Sequence, residues 1–150
     1  METKRNFKTL ILSTTPDNRE ILPRLIVGLI FLSEGIQKYL FPELVGTGRF
    51  EIIGFADPAF WTFFTGTFEI VCGIFVLIGL LTRLAAIPLL IIMMTAFATT
   101  KWPILVDNGF WSMAHEYRTD FAMTLLLVFL LIYGAGKLSL DSIIDKPSKT

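Results

Sequence analysis

Residues 60–100 read FWTFFTGTFEIVCGIFVLIGLLTRLAAIPLLIIMMTAFATT. This run decides the fold. A helix needs roughly 20 mostly apolar residues to cross about 30 Å of hydrocarbon, and the stretch holds two such spans, about 60–81 and about 84–100. Only Thr82 and Arg83 separate them, so they form a tight antiparallel hairpin. Two further spans lie outward, LPRLIVGLIFLSEGIQKYLF at about 22–41 and a fourth at about 121–136. Neither period-two alternation nor strand-length segments are present, which excludes a transmembrane barrel. Helices remain, because they satisfy the backbone without water.

The whole-chain arithmetic agrees. Hydrophobic residues make up 53% of the 150 and charged residues 17%. Mean hydropathy is +0.65. A soluble globule of this size has too much surface to hide so much apolar side chain, and a disordered chain is apolar-poor. The 13 basic and 13 acidic residues cancel, so no basic patch points to nucleic acid. The single cysteine, Cys72, excludes a Cys-x-x-Cys redox pair, a disulfide framework and a Cys-rich zinc site.

The expected architecture is therefore an all-α membrane protein of four transmembrane helices in an antiparallel bundle. Lys4, Arg5, Lys8, Arg19, Arg24, Arg83, Lys137, Lys146 and Lys149 fall on one side, against Lys38, Arg49, Lys101 and Arg118 on the other. By the positive-inside rule both termini are cytoplasmic. Residues 1–20 are an N-terminal tail, 21–141 the membrane domain and 142–150 a C-terminal tail. The location read from this is the inner cell membrane. The basic start lacks the apolar core and cleavage site of a signal peptide. Phe7, Leu10 and Ile11 can dip into headgroups. Thr15-Pro16 has the form of a helix cap, and Pro23 resets the start of the first span.

Arg24, Gly28, Phe31, Gly35 and Lys38 are spaced four, three, four, three, and Gly66, Glu69, Gly73, Val76 and Leu80 three, four, three, four. Each set forms one stripe on a helix. Glycines seven apart let helix backbones approach closely in lipid. The first two spans are expected to meet along these seams, with Arg24, Gly28, Gly35, Gly66, Gly73 and Arg83 in structural roles.

Glu34, Lys38 and Glu69 lie inside spans, where a charge costs roughly 2.5–3.5 kcal/mol to insert. The two carboxylates reach similar depth, roughly 10 Å and 13 Å from the outer end. Lys38 stands one turn beyond Glu34 and can pair with it or snorkel outward, which leaves Glu69 without an assigned partner. A carboxyl so placed can accept and release protons, so these three are the candidate catalytic residues. Phe31, Phe64, Phe68, Trp111, His115 and Asp120 are the candidate ligand-binding residues. Lys101-Trp102-Pro103 is expected to end the third helix, and residues 101–120 to form an outer connection. There Phe110, Trp111 and Met113 make an aromatic belt or re-entrant lid, and His115, Glu116, Arg118 and Asp120 cap the fourth span. The other reading of this group is an interfacial capping cluster with no part in a pocket. One histidine and scattered carboxylates show no metal-ligand motif, and no phosphate loop or nucleophile elbow is present. Gly134-Ala135-Gly136 stops the last helix.

With Arg24-x3-Gly28-x2-Phe31-x3-Gly35-x2-Lys38, Glu69-x3-Gly73, the run Leu77–Ala86 and Gly134-Ala135-Gly136-Lys137-Leu138-Ser139-Leu140-Asp141, the chain resembles the DoxX family of small four-span membrane proteins. The resemblance implies a four-helix bundle and, for some members, quinone-coupled sulfur oxidation or association with redox enzymes. The expected function is a redox-associated subunit, in a quinone-linked oxidoreductase, that binds a quinone or similar apolar ligand beside Glu34, Lys38 and Glu69. No electron carrier is visible, so a redox partner protein or bound cofactor is implied. The alternatives are a non-catalytic membrane assembly factor or anchor for a partner, and a small proton-linked transporter acting as a homo-oligomer.

Overall fold

The computed structural model describes Leu12 and residues 18–144, and every regular element among them is helical. The expectations for Phe7, Leu10, Ile11 and Thr15-Pro16, for most of the N-terminal tail and for residues 145–150 lie outside the described residues. The elements are α1 (Ile21–Leu40), α2 (Pro42–Val45), α3 (Thr47–Ile53), α4 (Pro58–Ile78), α5 (Thr82–Ala96), a π-turn (Phe97–Lys101), α6 (Trp102–Tyr133) and α7 (Leu140–Ile144). Two helical runs are long and apolar enough to cross a membrane, Pro58–Ile78 and Thr82–Tyr133. A third counts if α1 and the bent pair α2–α3 make one broken span, turned by 116°.

The element boundaries follow local chemistry. Pro58 opens α4 behind Asp57, whose Oδ1 accepts from the Phe60 N–H at 3.1 Å. Gly79 closes α4 at φ 68°, a left-handed cap. Gly79, Leu80 and Leu81 reverse the chain, so the hairpin is tight as expected, but its break precedes Thr82 and Arg83, which open α5. Gly134 ends α6, also as expected.

Residues 42–53, outside the expected spans, are helical, because Pro42 and Thr47 each restart a helix. One expectation, about residues 101–120, is corrected. Lys101-Trp102-Pro103 does not end the third helix. Pro103 falls in the first turn of α6, where its missing N–H breaks no hydrogen bond. Instead the path breaks at Gly109 (φ 82°, ψ 174°), a backbone geometry that glycine alone adopts without strain. The 101–120 connection is therefore helical, and Asp120 lies inside α6 rather than at its start.

α1 packs on α4 along the two glycine stripes. A Cβ placed on Gly35 would stand 2.8 Å from the Gly66 carbonyl oxygen, and one on Gly73 would stand 3.0 Å from the Leu32 nitrogen. Gly28 lies against Gly73 and Gly35 against Gly66, so the two helices run in opposite directions. Below the seam, Val27, Phe31, Val76, Ala86, Leu89, Leu127 and Leu130 form the buried core with Cys72. On the far side, Arg83 Nη2 donates to the Ile132 carbonyl at 2.8 Å. Leu25, Leu29, Ile74, Ile91 and Ile132 remain exposed, a face suited to lipid.

One end of the structure is tied by a buried arginine. Arg24 donates from Nε to Val76 O (3.0 Å), from Nη2 to Leu77 O (2.6 Å) and from Nη1 to Ala135 O (3.0 Å) and Leu138 O (2.6 Å). These carbonyls belong to the last turn of α4 and to the segment after α6. The Val76 oxygen also accepts from the Gly79 N–H at 3.2 Å, so the guanidinium is a second donor there and supplies donors to Leu77, Ala135 and Leu138. Asp141 completes the knot. Its carboxylate accepts from the Leu81 N–H (2.7 Å) and the Thr82 N–H (3.1 Å) at the start of α5, and its own N–H donates to Gly79 O (2.9 Å). Burial pushes the Asp141 carboxyl up from its ordinary value, while those N–H groups and Arg24 act to lower it.

Two stability predictions follow from these contacts. Gly35→Leu should force α1 and α4 apart and lower the melting midpoint in detergent, at a cost of about 1–3 kcal/mol. Arg24→Ala should strand the Leu77, Ala135 and Leu138 carbonyls and cost about 3–5 kcal/mol, so that most of the variant aggregates in size-exclusion chromatography.

Candidate functional site

Between α1, α3, α4, α5 and α6 lies a cavity of about 440 Å³. Its size suits a small organic ligand. Phe31, Glu34 and Lys38 face it from α1, Phe64, Thr65 and Glu69 from α4, and Asp120 and Met123 from α6. Apolar and aromatic side chains make up just over half of the wall, and Glu34, Lys38, Arg49, Glu69, Lys101 and Asp120 bring charge to it.

The glycine seam places the charged part. With Gly35 against Gly66, Lys38 lies one turn beyond on α1 and meets Glu69 on α4. Lys38 Nζ stands 2.7 Å from Glu69 Oε2, and the two side chains are 11% and 5% exposed. Lys38 therefore pairs across the seam rather than with Glu34 on its own helix. The expectation that Glu69 lacks a partner is corrected. The i,i+4 rule ranks neighbours within one helix, but a buried Glu69 left without a cation costs more than an exposed Glu34 left without one. Glu34 is exposed at the cavity wall. Tyr39 closes the seam beyond Lys38, its hydroxyl 3.0 Å from Phe63 O and 2.7 Å from Thr67 Oγ1.

A second pair reaches the same cavity. Lys101 Nζ stands 3.6 Å from Asp120 Oδ2. Lys101 closes the π-turn and Asp120 lies on α6, so this pair joins the second helical hairpin as Lys38–Glu69 joins the first. Sequence reasoning placed Asp120 here but missed Lys101, which it read as part of a helix stop. The available signal was its distance from any span end once the helix continues past Pro103. A π-turn is a frequent mark of a functional site, and its wider turn carries Thr99, Thr100 and Lys101 to the cavity wall.

The aromatic wall begins outside the spans. Phe50 and Phe55 are in edge contact at 5.3 Å, Phe55 and Trp61 at 5.5 Å, and Trp61 and Phe64 at 5.9 Å, while Phe64 and Phe68 lie tilted at 4.8 Å. Phe68 touches the cavity only through Phe64 and is absent from its lining. Phe50, Phe55 and Trp61 line the cavity and were not among the expected ligand contacts. Phe50 lies on α3 and Phe55 just after it, outside the expected spans, and Trp61 lies in the first turn of α4.

Trp111 and His115 are not part of this cavity. They line a separate shallow recess with Ile104, Asn108, Ser112 and Glu116. Trp111 is 83% exposed, and His115 Nε2 lies 2.7 Å from Arg118 Nη1 one turn on. The break at Gly109 sends the following helix back along α5, with Phe97 against Tyr117 at 4.9 Å, and this turns Trp111 outward. Among the described residues no group of three or more His, Cys, Asp or Glu side chains is gathered.

Removing one member of the buried pair should destabilise more than removing both. Lys38→Met leaves the Glu69 charge unpaired in an apolar wall, and the expected loss is about 3–5 kcal/mol. Lys38→Met with Glu69→Leu should recover most of it. Melting midpoints of the three proteins in one detergent check the order.

Comparison with known proteins gives the same picture. The DoxX family model matches residues 21–102. A protein of Mycobacterium tuberculosis named an uncharacterized membrane protein is 52% identical over 129 residues, 82% of this chain and 79% of that one. A Haemophilus influenzae protein is 32% identical over 84 residues, 55% of this chain and 53% of its own length. A Bacillus subtilis protein named "Putative oxidoreductase CatD" is 28% identical over 132 residues, 86% of this chain and 89% of that one. No solved structure matches the chain. The matched region holds the glycine seam, the Lys38–Glu69 pair and the α4–α5 hairpin, and on that extent and identity the chain belongs to the DoxX family of membrane proteins.

Proposed function

We propose that the protein is a four-span bundle of the inner cell membrane whose cavity binds a quinone or a similar flat apolar ligand, as a redox-associated subunit. The observation that carries this reading is the Lys38–Glu69 ion pair, 2.7 Å long, set into the aromatic wall of a 440 Å³ cavity. A quinone ring needs apolar and aromatic surface for its faces and a hydrogen-bond donor at its oxygen. Phe31, Phe64 and Trp61 supply the first and the Lys38 ammonium the second. When the ligand takes up protons with its electrons, Glu34 and Glu69 are the carboxyls beside it. The electrons come from a partner protein or a cofactor that partner holds. The name of the Bacillus subtilis relative, an oxidoreductase, is in keeping with this.

The span count rests on length and pairing. Thr82–Tyr133 has 52 residues, roughly 78 Å at 1.5 Å per residue, more than twice the hydrocarbon thickness. It folds back on itself, since Arg83 meets Ile132 and Lys101 meets Asp120. It therefore supplies two spans, and α1 and α4 supply the others. Both termini and Arg83 then lie on the cytoplasmic side.

Two experiments test these statements. In proteoliposomes the wild type should bind an alkyl-benzoquinone saturably, and Glu69→Gln should weaken binding about tenfold. Absence of saturable binding in the wild type, or binding indifferent to Glu69→Gln, overturns the ligand reading. For topology, Ser142→Cys and Asp107→Cys, each in a Cys72→Ser background, should react with an impermeant thiol reagent from opposite faces of sided vesicles. Labelling of both from one face overturns the four-span arrangement.

A further inference from the structure

The cavity holds two acid–base pairs, and its hydroxyls leave a specific kind of work for them. Thr119 lines it, and so do Thr65, Thr95, Thr99 and Thr100. The last four share one habit. Each spends its hydroxyl proton on the carbonyl one turn back, at 2.7, 2.9, 2.8 and 2.6 Å respectively. Threonines bonded in this way offer lone pairs to the cavity and no proton. Donation to a ligand oxygen is then left to Thr119, the Trp61 indole N–H and charged side chains, and among these only the two lysines stand in ion pairs. Lys38 and Lys101 are both nearly buried, 11% and 12% exposed, and each is accompanied by a carboxylate, Glu69 or Asp120. Arg49 also reaches the cavity from α3, but it is exposed and forms no ion pair with a described residue.

The two pairs belong to different parts of the fold. One ties α1 to α4 and the other ties the π-turn to α6. Each presents one donor and one acceptor, so each can satisfy an oxygen that only accepts, such as a ring carbonyl, or one that also donates, such as a ring hydroxyl. A single pair would suffice for a ligand with one polar end. A second pair, inside the same apolar wall and loosely closed at 3.6 Å, has insertion and desolvation costs that a one-headed ligand would leave without return.

We propose that the cavity is two-headed. It takes a flat ring bearing an oxygen at each end, with Lys38–Glu69 holding one oxygen and Lys101–Asp120 the other, and it holds the carbonyl and hydroxyl forms of that ring with the same two pairs. The proposal rests on the ligand reading given above and narrows it. It makes Lys101, which sits at the end of the π-turn, a specificity-determining residue.

The experiment measures binding of two probes to the purified full chain in nanodiscs. One is a decyl-benzoquinone, with oxygens at both ends of the ring. The other is a decyl-phenol of matched length, with one. Lys38→Met and Lys101→Met are each expected to weaken quinone binding about tenfold, and the double variant about a hundredfold. The phenol should respond to only one of the two substitutions. Lys101→Arg, which keeps a cationic donor, should stay within about threefold of wild type and separates loss of donation from loss of folding. Quinone binding that Lys38→Met weakens and Lys101→Met leaves unchanged overturns the two-headed site, while the ligand reading stands. Equal response of the phenol to both single variants also overturns it. Failure of the wild type to bind either probe removes the ligand reading and this proposal together.

Discussion

Close approach of the α1 and α4 backbones is the constraint from which the rest of the structure follows. Gly28, Gly35, Gly66 and Gly73 leave no side chain between the helices, and any Cβ at Gly35 or Gly73 would strike backbone atoms. In lipid such contact cannot be driven by exclusion of water, so packing and hydrogen bonding must hold the helices. The small interaxial gap brings Lys38 within 2.7 Å of Glu69. With bulkier residues at the seam, the same two charges would face an apolar medium separately. The glycines therefore make the buried pair affordable, and the pair in turn fixes register.

At the opposite end of the seam, Arg24 solves a different problem. Helices that stop inside or near the hydrocarbon leave carbonyls without partners. Arg24 donates to four carbonyls, two from α4 and two from the segment after α6, and of these Val76 alone also accepts from the Gly79 N–H. Asp141 does the complementary work at the start of α5, where Leu81 is held at φ 48° and N–H groups are free. One residue from the first helix and one from the last short helix thus close the α4–α5 turn. This explains why Gly79 has no room for a side chain: a Cβ there would meet Ser139 at 2.5 Å and the Arg24 guanidinium at 2.7 Å. The terminal Gly-Ala-Gly-Lys-Leu-Ser-Leu-Asp stretch is, in this fold, a clasp.

The seam, the hairpin and the stop at Gly134 were legible because each depends on local spacing. Heptad glycines, a short break and a glycine-rich helix end mean the same thing wherever they occur. The failures have one cause. Pro103 reads as a helix stop in sequence, yet in the first turn of a new helix it breaks nothing, and Gly109 makes the real turn. Pro42 and Thr47 restart short helices that the composition of 41–59 does not announce. Trp111 and His115 look like companions of Asp120 by proximity in the chain, but the direction of the helix after Gly109 carries them to an exterior recess.

Hydropathy and residue size at fixed period are enough to make this protein helical, to put it in a membrane and to bring its first two long helices together, because they need no knowledge of neighbours. Which charges meet was settled by the packed fold. Lys38 passes over Glu34 on its own helix for Glu69 on the next, and Lys101, far from Asp120 on a straight helix, returns to it through the turn at Gly109. Ion pairing in a low-dielectric interior is settled by a few ångströms of cross-helix distance, and no sequence spacing encodes that distance until the backbones are packed.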